Sequence, residues 1–180
     1  MLSCSRTMTT STAPFLLQMA GPPGSGKSAL ARMIGRVTGA VVLDKDVIKT
    51  AALEAGAEES LAAPLAYEAF FALADHLLGQ GQSVVLDSPS FWEGIPTKGA
   101  RIAQERMVAY YFIECICQDE AELARRLRDR PRMASQPVEP VDGERWQTIA
   151  PVGAYLRIDT TQPLDRCVEL ALDYLGVTTP

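Results

Sequence analysis

Residues 15–28 read FLLQMAGPPGSGKS, an apolar run that ends in a glycine-rich turn and continues into a helical pattern. The turn has the spacing Gly21-x4-Gly26-Lys27-Ser28, which is the Walker A pattern. Glycines let the backbone curl round an anion with its N–H groups pointing inward, and the following helix offers the donors of its N-terminus. We therefore predict a strand, a phosphate-binding loop and a helix in succession, with a nucleoside triphosphate as the ligand.

Each residue type in this loop indicates a role. Lys27 is expected to reach the β- and γ-phosphates, and the Ser28 hydroxyl is expected to ligate magnesium. The alternative is a surface turn that only mimics the pattern, but the apolar strand before the loop and the helix after it disfavour that interpretation. The predicted nucleotide-binding residues of the loop are Gly21, Pro22, Pro23, Gly24, Ser25, Gly26, Lys27, Ser28 and Ala29.

Length and charge limit the classes of protein to consider. The chain has 180 residues, of which 47% are apolar and 22% charged, and this suits one globular domain. The net charge of −5 disfavours nucleic acid as a partner, because proteins that hold its backbone usually carry a basic excess. No apolar run approaches the roughly 20 residues that cross a bilayer. We expect a cytoplasmic protein, monomeric or homodimeric, that does not bind membranes.

The order of apolar runs and helical patterns predicts the architecture. From residue 14 onward short apolar runs alternate with helices, which is typical of an α/β fold with a mainly parallel sheet. Residues 1–13, rich in Ser and Thr, are expected to form a disordered leader, and 14–178 a single domain. The predicted strands are Phe15–Ala20, Ala40–Leu43, Ser83–Asp87, Ala109–Cys117 and Tyr155–Ile158. The predicted helices are Lys27–Thr38, Val47–Ala55, Leu61–Leu78, Lys98–Met107, Glu120–Arg130 and Leu164–Leu175.

Two cysteines lie in the fourth predicted strand. Cys115 and Cys117 alternate, so their side chains should point to the same face of the sheet. A Cys-x-Cys pair can bind a metal, but no second pair and no histidine cluster accompanies this one. Buried thiols in a reducing compartment are therefore the favoured interpretation.

Two carboxylates, Asp44 and Asp46, follow the second predicted strand. Ligands of open α/β sheets bind at the carboxyl ends of the strands, where this pair should lie. Asp44 is then a candidate to orient the water shell of magnesium, and Asp46 a candidate base for an attacking hydroxyl. The alternative is structural, with Asp46 capping a helix that starts at Val47 and Asp44 serving as a turn residue.

A third carboxylate, Asp87, ends the apolar run Val84–Leu86, a pattern like Walker B. In that role it would hold magnesium or one of its waters. The alternative is an ordinary strand-end acid that starts the turn at Ser88-Pro89. The following residues are candidates to line a substrate pocket or to pack: Ser88, Ser90, Phe91 and Trp92.

Arg126 and Arg130 lie four residues apart, on one face of the fifth predicted helix. Fixed guanidinium groups suit the charge that spreads over a transferring phosphoryl group. A solvated basic helix end is the alternative, but the irregular, proline-rich stretch 131–151 follows at once, and such stretches in compact domains are usually functional. We predict a mobile lid over about residues 126–150, with both arginines as catalytic candidates and Arg126 also as a nucleotide ligand.

These features make the sequence similar to the small P-loop kinases of the nucleoside-monophosphate kinase-like group, above all to its zeta-toxin-like and polynucleotide-kinase-like branch of AAA-type ATP-binding proteins. The resemblance rests on residues 21–28, Asp44-x-Asp46, Asp87, Arg126-Leu127-x-x-Arg130 and the closing segment 156–164. It implies a single-domain, three-layer P-loop NTPase fold with a five-stranded sheet in the order 2-3-1-4-5. It also implies ATP with Mg²⁺ as the cofactor. As in shikimate-kinase-like enzymes, the first acid of the pair would support magnesium and the second would contact the acceptor hydroxyl.

The activity implied by this resemblance is ATP-dependent transfer of the γ-phosphoryl group to a hydroxyl of a small molecule. The catalytic candidates are Lys27, Asp46, Arg126 and Arg130, and the metal candidates are Ser28, Asp44 and Asp87. One alternative is a kinase for 5′-hydroxyl polynucleotide ends or nucleotide sugars. Another is a nucleotide-dependent switch or ATPase that acts through a protein partner. The alanine-rich stretch 51–57 carries no recognisable acceptor-binding residue, so the acceptor stays open.

Overall fold

The structure is a computed structural model, and it describes residues 13–131, 133–136 and 147–177. Residues 1–12, which make up nearly all of the predicted leader, lie outside the described residues. Residues 132 and 137–146 of the predicted lid and residues 178–180 also lie outside them. The division of the chain into leader, domain and lid, and the mobility of the lid, therefore stay predictions.

The described part of the chain contains five strands and six helices, which alternate except for two successive helices between the second and third strands. The strands are β1 (Phe15–Ala20), β2 (Val41–Asp44), β3 (Val84–Asp87), β4 (Ala109–Ile116) and β5 (Leu156–Asp159). The helices are α1 (Lys27–Thr38), α2 (Lys45–Glu54), α3 (Glu59–Gly79), α4 (Gly94–Glu105), α5 (Glu120–Asp129) and α6 (Leu164–Leu175). The ends of β1, α1 and α6 coincide with the predicted ends, because a glycine turn or a clear apolar period marks them.

The sheet confirms the predicted architecture. Its order is β2-β3-β1-β4-β5, and every neighbouring pair is parallel. β1 is buried along its whole length at the centre, as its mainly apolar sequence indicates, and the polar Gln18 is buried with it. Since the strands run the same way, their carboxyl ends meet at one edge of the sheet. The segments that follow β1, β2 and β3 therefore come together there.

Helices cover both faces of the sheet, which gives the predicted three layers. Alternate side chains of β1 point to opposite faces of the sheet, so Leu17 and Met19 belong to one core and Leu16 to the other. The first core lies under α1 and α6, and the second under α3 and α4. Because both cores share β1, the strand that leads into the glycine loop is anchored from both faces of the sheet.

Helix α3 is the longest helix described. Among the described helices, α3 alone is long and apolar enough to cross a membrane by length and composition. Core helices of globular proteins pass the same test, and Phe70 and Phe71 of α3 are buried in the second core. We therefore assign its apolar character to core packing.

The start of α2 differs from the predicted start, and this changes which aspartate caps the helix. β2 extends to Asp44 and α2 begins at Lys45, two residues earlier than predicted. Asp44 is the cap of this helix, because its Oδ1 accepts a hydrogen bond from the Asp46 N–H at 2.8 Å. The interpretation of Asp46 as a cap for a helix that starts at Val47 is therefore wrong, and Asp46 lies inside the first turn.

Two other differences have local causes. Helix α4 begins at Gly94, four residues before the predicted start, because Pro96 stands in its first turn, where a missing N–H costs no hydrogen bond. Cys115 is buried in β4 as predicted, whereas Cys117 follows the last residue of β4 and is only partly buried. The prediction of a core thiol is thus confirmed for Cys115 and wrong for Cys117.

Phe70 and Leu73 allow a test of the packing of α3. Phe70 is fully buried with its ring centre 5.4 Å from that of Phe71, whereas Leu73 is 43% exposed. We expect Phe70→Ala to lower the free energy of unfolding by about 3–5 kcal/mol, because it leaves a cavity. Leu73→Ala is the matched control and should change it by about 0.5 kcal/mol. Urea unfolding measures both, and equal losses would contradict the assignment of this helix to the core.

Candidate active site

The loop between β1 and α1 has the backbone geometry that its glycines predict. Gly21, Gly24 and Gly26 have φ values of 132°, 82° and 80°, which residues with side chains rarely adopt. A Cβ atom at Gly21 would lie 2.2 Å from the carbonyl oxygen of Cys115, so space also requires glycine there. Helix α1 begins at Lys27, and no side chain caps it. Its first N–H groups are therefore not taken by a cap, an arrangement that favours binding of phosphate oxygens.

Asp44 and Asp87 lie side by side at the carboxyl edge of the sheet, because they are partners in the register of β2 and β3. Asp87 is 4% exposed, and burial raises the pKa of its carboxyl group against the opposing effects of the Lys27 charge and the Ser28 hydroxyl. Burial also raises the pKa of Asp44, although the backbone N–H of Asp46 opposes this effect. The structure thus brings two predicted metal ligands together near Lys27 and Ser28, at the start of α1.

This pair of carboxylates fits a divalent cation. The Oδ1 atom of Asp87 is buried and has no hydrogen-bond partner within the described chain, as expected of an oxygen that binds a ligand. The described residues contain no group of three or more His, Cys, Asp or Glu side chains that could hold a metal by itself. Magnesium suits a site with few protein ligands, because it keeps several waters and also binds phosphate oxygens. Ser28, Asp44 and Asp87 stay the predicted ligands.

Asp46 has a different environment from Asp44. Its Oδ1 lies 2.5 Å from Lys45 Nζ, and its Oδ2 accepts a hydrogen bond from Gln136 Nε2 at 3.3 Å. Burial alone would raise its pKa, but Lys45 above all, with help from Gln136 and Lys27, holds the pKa below its usual value. Asp46 is therefore ionised at neutral pH, as a proton acceptor must be. Two carboxylates two residues apart are thus shifted in opposite directions, which is a pattern of catalytic sites.

The segment after β3 contributes to the same edge of the sheet. Ser90 is buried, and it exchanges two hydrogen bonds of 2.6 Å with the backbone of Ile149, one from its hydroxyl and one to its carbonyl. Ser88 is buried too, whereas Phe91 and Trp92 are exposed. Of the four candidates for a pocket lining, Ser90 therefore serves to join this segment to Ile149, near the end of the predicted lid.

Arg126 lies beside the glycine loop. Its guanidinium donates to Thr160 twice, from Nη1 to Oγ1 at 2.9 Å and from Nη2 to the carbonyl oxygen at 2.7 Å, and its Nε donates to Glu122 at 2.8 Å. A Cβ atom at Gly26 would lie 3.3 Å from Nη1. Arg130 is one turn further on, at the C-terminal cap of α5, and is partly buried. The structure thus places Arg126 against the loop and Arg130 at the end of the same helix.

Helix α5 packs directly on the glycine loop. A Cβ atom at Gly24 would lie 2.8 Å from Leu123 Cδ1 and 3.1 Å from Leu127 Cγ, so the glycine makes room for these two leucines. The helix begins in a defined way, because the Asp119 carboxylate accepts from the N–H groups of residues 121 and 122. The arginines of α5 are therefore carried by a helix whose position depends on the loop.

Thr160 belongs to the site; it lies in the closing segment 156–164 of the family resemblance but was not among the predicted site residues. Its side chain is 8% exposed, and its hydroxyl donates to the Ser25 carbonyl at 2.8 Å while it accepts from Arg126. Its N–H donates to the Ile116 carbonyl at 2.9 Å. One residue thus joins the ends of β4 and β5, the glycine loop and α5. The available signal was a polar residue directly after an apolar strand.

Lys45, Tyr67 and Gln136 surround Asp46 and were likewise missed. Lys45 Nζ lies 5.4 Å from the centre of the Tyr67 ring. The Tyr67 hydroxyl is buried with no hydrogen-bond partner among the described residues, and burial, with the Asp46 charge, raises its pKa. These side chains come from α2, α3 and the segment after α5. Spacing in the sequence gives no signal for a cluster assembled from three distant segments.

The strand order and the loop after β1 place this chain, by fold, among the P-loop nucleoside-triphosphate-binding proteins of the nucleoside-monophosphate kinase-like group. Residues 16–150 match the family model described as an AAA domain. That match covers most of the chain, so the chain belongs to this AAA domain family. No curated protein sequence matches it significantly.

Solved structures share the fold at low sequence identity. A sugar kinase from Janibacter sp. HTCC2649 is 16% identical with a TM-score of 0.67, over 93% of this chain and 96% of that one. The APS kinase CysC of Mycobacterium tuberculosis, in complex with AMPPNP and APS, is 19% identical with a TM-score of 0.69, over 92% and 99%. A gluconokinase from Sinorhizobium meliloti 1021 is 19% identical with a TM-score of 0.58, over 92% and 94%. At such identities the likeness shows the fold.

The hydroxyl of Thr160 is open to a direct test. Thr160→Val keeps the shape of the side chain but leaves the Ser25 carbonyl and one Arg126 donor without their partner. We expect the free energy of unfolding to fall by about 1–3 kcal/mol, the usual cost of a buried group that loses its partner. Thr161→Val, at the exposed next position, is the control and should cost about 0.5 kcal/mol or less. Unfolding in urea gives both values. A Thr160→Val protein as stable as the wild type would contradict the role of this hydroxyl in joining the glycine loop to α5.

Proposed function

We propose that this protein is an ATP-dependent phosphotransferase that moves the γ-phosphoryl group to a hydroxyl of a small molecule. The observation that carries the proposal is the placement of the Asp46 carboxylate, two residues after Asp44 at the carboxyl edge of the sheet, with Lys45 and Gln136 holding its two oxygens. A protein that only bound and released a nucleotide would have little use for a proton acceptor at this place. Phosphoryl transfer to an alcohol does need one.

Three groups of residues have separate roles in the proposed reaction: the glycine loop, the arginines of α5, and Asp46. The backbone N–H groups of Gly24, Gly26 and Lys27, together with the Lys27 ammonium, bind the β- and γ-phosphates of ATP. Arg126 and Arg130, carried by α5, offset the charge that spreads over the transferred group. Asp46 orients the acceptor hydroxyl and takes its proton. Catalysis in this scheme consists of positioning and electrostatic stabilisation.

The carboxylates at the ends of β2 and β3 have a separate task. We assign Asp44 and Asp87, with the Ser28 hydroxyl, to Mg²⁺. When bound there, the ion would supply positive charge to the β- and γ-phosphate oxygens. The orphaned Oδ1 of Asp87 and the raised pKa values of both carboxyl groups support this assignment.

The comparisons support the reaction class. The three solved structures named above carry the names of kinases for a sugar, for APS and for gluconate. The net charge of −5 also favours a small acceptor over a nucleic acid. We propose a small-molecule alcohol as the acceptor and the cytoplasm as the compartment.

Lys27→Ala tests the donor half of the site. The loss of the ammonium removes fixed positive charge from the transferring phosphate, and we expect kcat for phosphoryl transfer to fall by about 10²–10³-fold. The side chain is partly exposed, so the melting temperature should stay unchanged. ADP release, followed over a panel of sugars, nucleosides and aminoglycoside-like alcohols, measures the rate. If the rate of ATP hydrolysis is unchanged by every alcohol but rises when a protein partner is added, the nucleotide-dependent switch is favoured instead.

Asp46→Asn tests the acceptor half. The amide cannot accept the hydroxyl proton, and we expect a fall in kcat of about 10²–10⁴-fold with little change in the KM for ATP. Asp165→Asn, at an exposed position of α6, is the matched control and should keep the wild-type rate. Wild-type turnover of an accepted alcohol by Asp46→Asn would exclude Asp46 as the base.

A further inference from the structure

Residues 133–136, which follow α5, pack on the first turns of α2. The Ser135 side chain is buried, and its hydroxyl donates to the backbone carbonyl of Asp46 at 3.1 Å. The Thr50 hydroxyl donates to Ser135 Oγ at 3.0 Å. Ser135 thus joins this segment to two successive turns of the helix that carries the proposed base.

Gln136 reaches the carboxylate of the same aspartate. Its Nε2 donates to Asp46 Oδ2 at 3.3 Å, while its Oε1 accepts from the Met133 N–H at 3.4 Å. A second backbone bond, from the Gln136 N–H to the Met133 carbonyl at 3.0 Å, closes the turn. Because a backbone donor occupies the amide oxygen, the amide NH₂ group must face the carboxylate. The orientation of the side chain therefore follows from its partners.

The two oxygens of Asp46 are held from different parts of the chain. Oδ1 is held by Lys45, a neighbour on the same helix, and Oδ2 by Gln136, which is 90 residues away in sequence. Two donors on two oxygens define the rotation of a carboxylate about its Cβ–Cγ bond, whereas a single donor leaves that rotation open. The lone pair that meets an acceptor hydroxyl is thus aimed by a residue outside α2.

We propose that Gln136 is a positioning residue for Asp46, and that Ser135 anchors the segment that presents it. The inference rests on the proposed function, because it assigns Gln136 to the base of that reaction. The amide of Gln136 carries no proton that it can exchange with a substrate at neutral pH, so its effect must pass through the carboxylate. A shift of about 1 Å in a reacting group can cost on the order of 10²-fold in rate, so loss of this contact should be visible in kcat.

The first experiment tests the contact between Gln136 and Asp46 through protein stability, without any measurement of catalysis. Gln136→Met keeps the length of the side chain and removes the donor, and Asp46→Ala removes the acceptor. We expect Gln136→Met to lower the melting temperature of the wild-type chain by roughly 2–4 °C and that of the Asp46→Ala chain by clearly less. Gln104→Met, at an exposed position of α4, is the control and should lower neither. Equal shifts in the two backgrounds would show that the side chains do not interact and would overturn the proposal.

The second experiment measures the role, with MgATP as the substrate and water as the acceptor, and then with any alcohol that the screen identifies. We expect Gln136→Met to lower kcat by about 10–100-fold and to leave the KM for ATP within about twofold. Gln136→Asn, which keeps the amide on a shorter side chain, should recover part of the rate. In the Asp46→Asn background, Gln136→Met should have no further effect.

A failure of the proposed function and a failure of the inference about Gln136 give different kinetic results. If Asp46→Asn keeps the wild-type rate, Asp46 is not the base, and the role of Gln136 falls with it. If Asp46→Asn is slow but Gln136→Met is as fast as the wild type, the proposed function stands and only the inference about Gln136 is overturned. A rise in the KM for ATP with unchanged kcat would also overturn it, since it would place the effect of Gln136 on nucleotide binding.

Discussion

The parallel register of β2, β3 and β1 is the constraint on which the rest of the site depends. It aligns Asp87 with Asp44 on one side and with Met19 on the other, so the glycine loop begins just beyond the row that holds both carboxylates. A slip of one residue would turn every side chain of a strand to the opposite face. The two cores prevent it, because Leu16 and Leu17 of β1 are buried on opposite faces of the sheet. Core packing thus determines how far the phosphate-binding loop lies from the proposed metal ligands.

Burial at this edge has opposite consequences for neighbouring acids. Asp44 and Asp87 face the loop, where burial raises the pKa of each above its usual value despite the charge of Lys27. Asp46 is partly buried, as Asp44 is, but Lys45 lies against it and the pKa falls. The ion pair with Lys45 therefore keeps Asp46 ionised, whereas the burial of Asp44 and Asp87 favours a cation that offsets their charge. The capping bond from the Asp46 N–H to Asp44 ties the two together, since it determines where α2 begins.

The parts of the site that were predictable are those encoded within a few residues. The strand, loop and helix from Phe15 to Thr38 and the acids at two strand ends follow from local periodicity and from the rule that ligands gather at the carboxyl edge. The structural alternative placed the cap of α2 at Asp46, whereas the cap is Asp44. Local sequence does not distinguish a helix that begins at Lys45 from one that begins two residues later. The contacts of Thr160 and Gln136 could not be predicted, because their partners Ser25 and Asp46 lie 135 and 90 residues away in the sequence. Contacts of that kind depend on tertiary packing, which no local pattern encodes.

Helix α5 and the short segment after it connect the two halves of the site. Leu123 and Leu127 pack on the loop at Gly24, and Arg126 bonds to Thr160, which itself holds the loop through Ser25. A few residues later, Ser135 and Gln136 bond to α2 at the proposed base. A displacement of α5 would therefore change the surroundings of the phosphates and of Asp46 together. An enzyme that transfers a phosphoryl group benefits from such a connection, because a base that is aligned only when the donor side is assembled limits transfer to water.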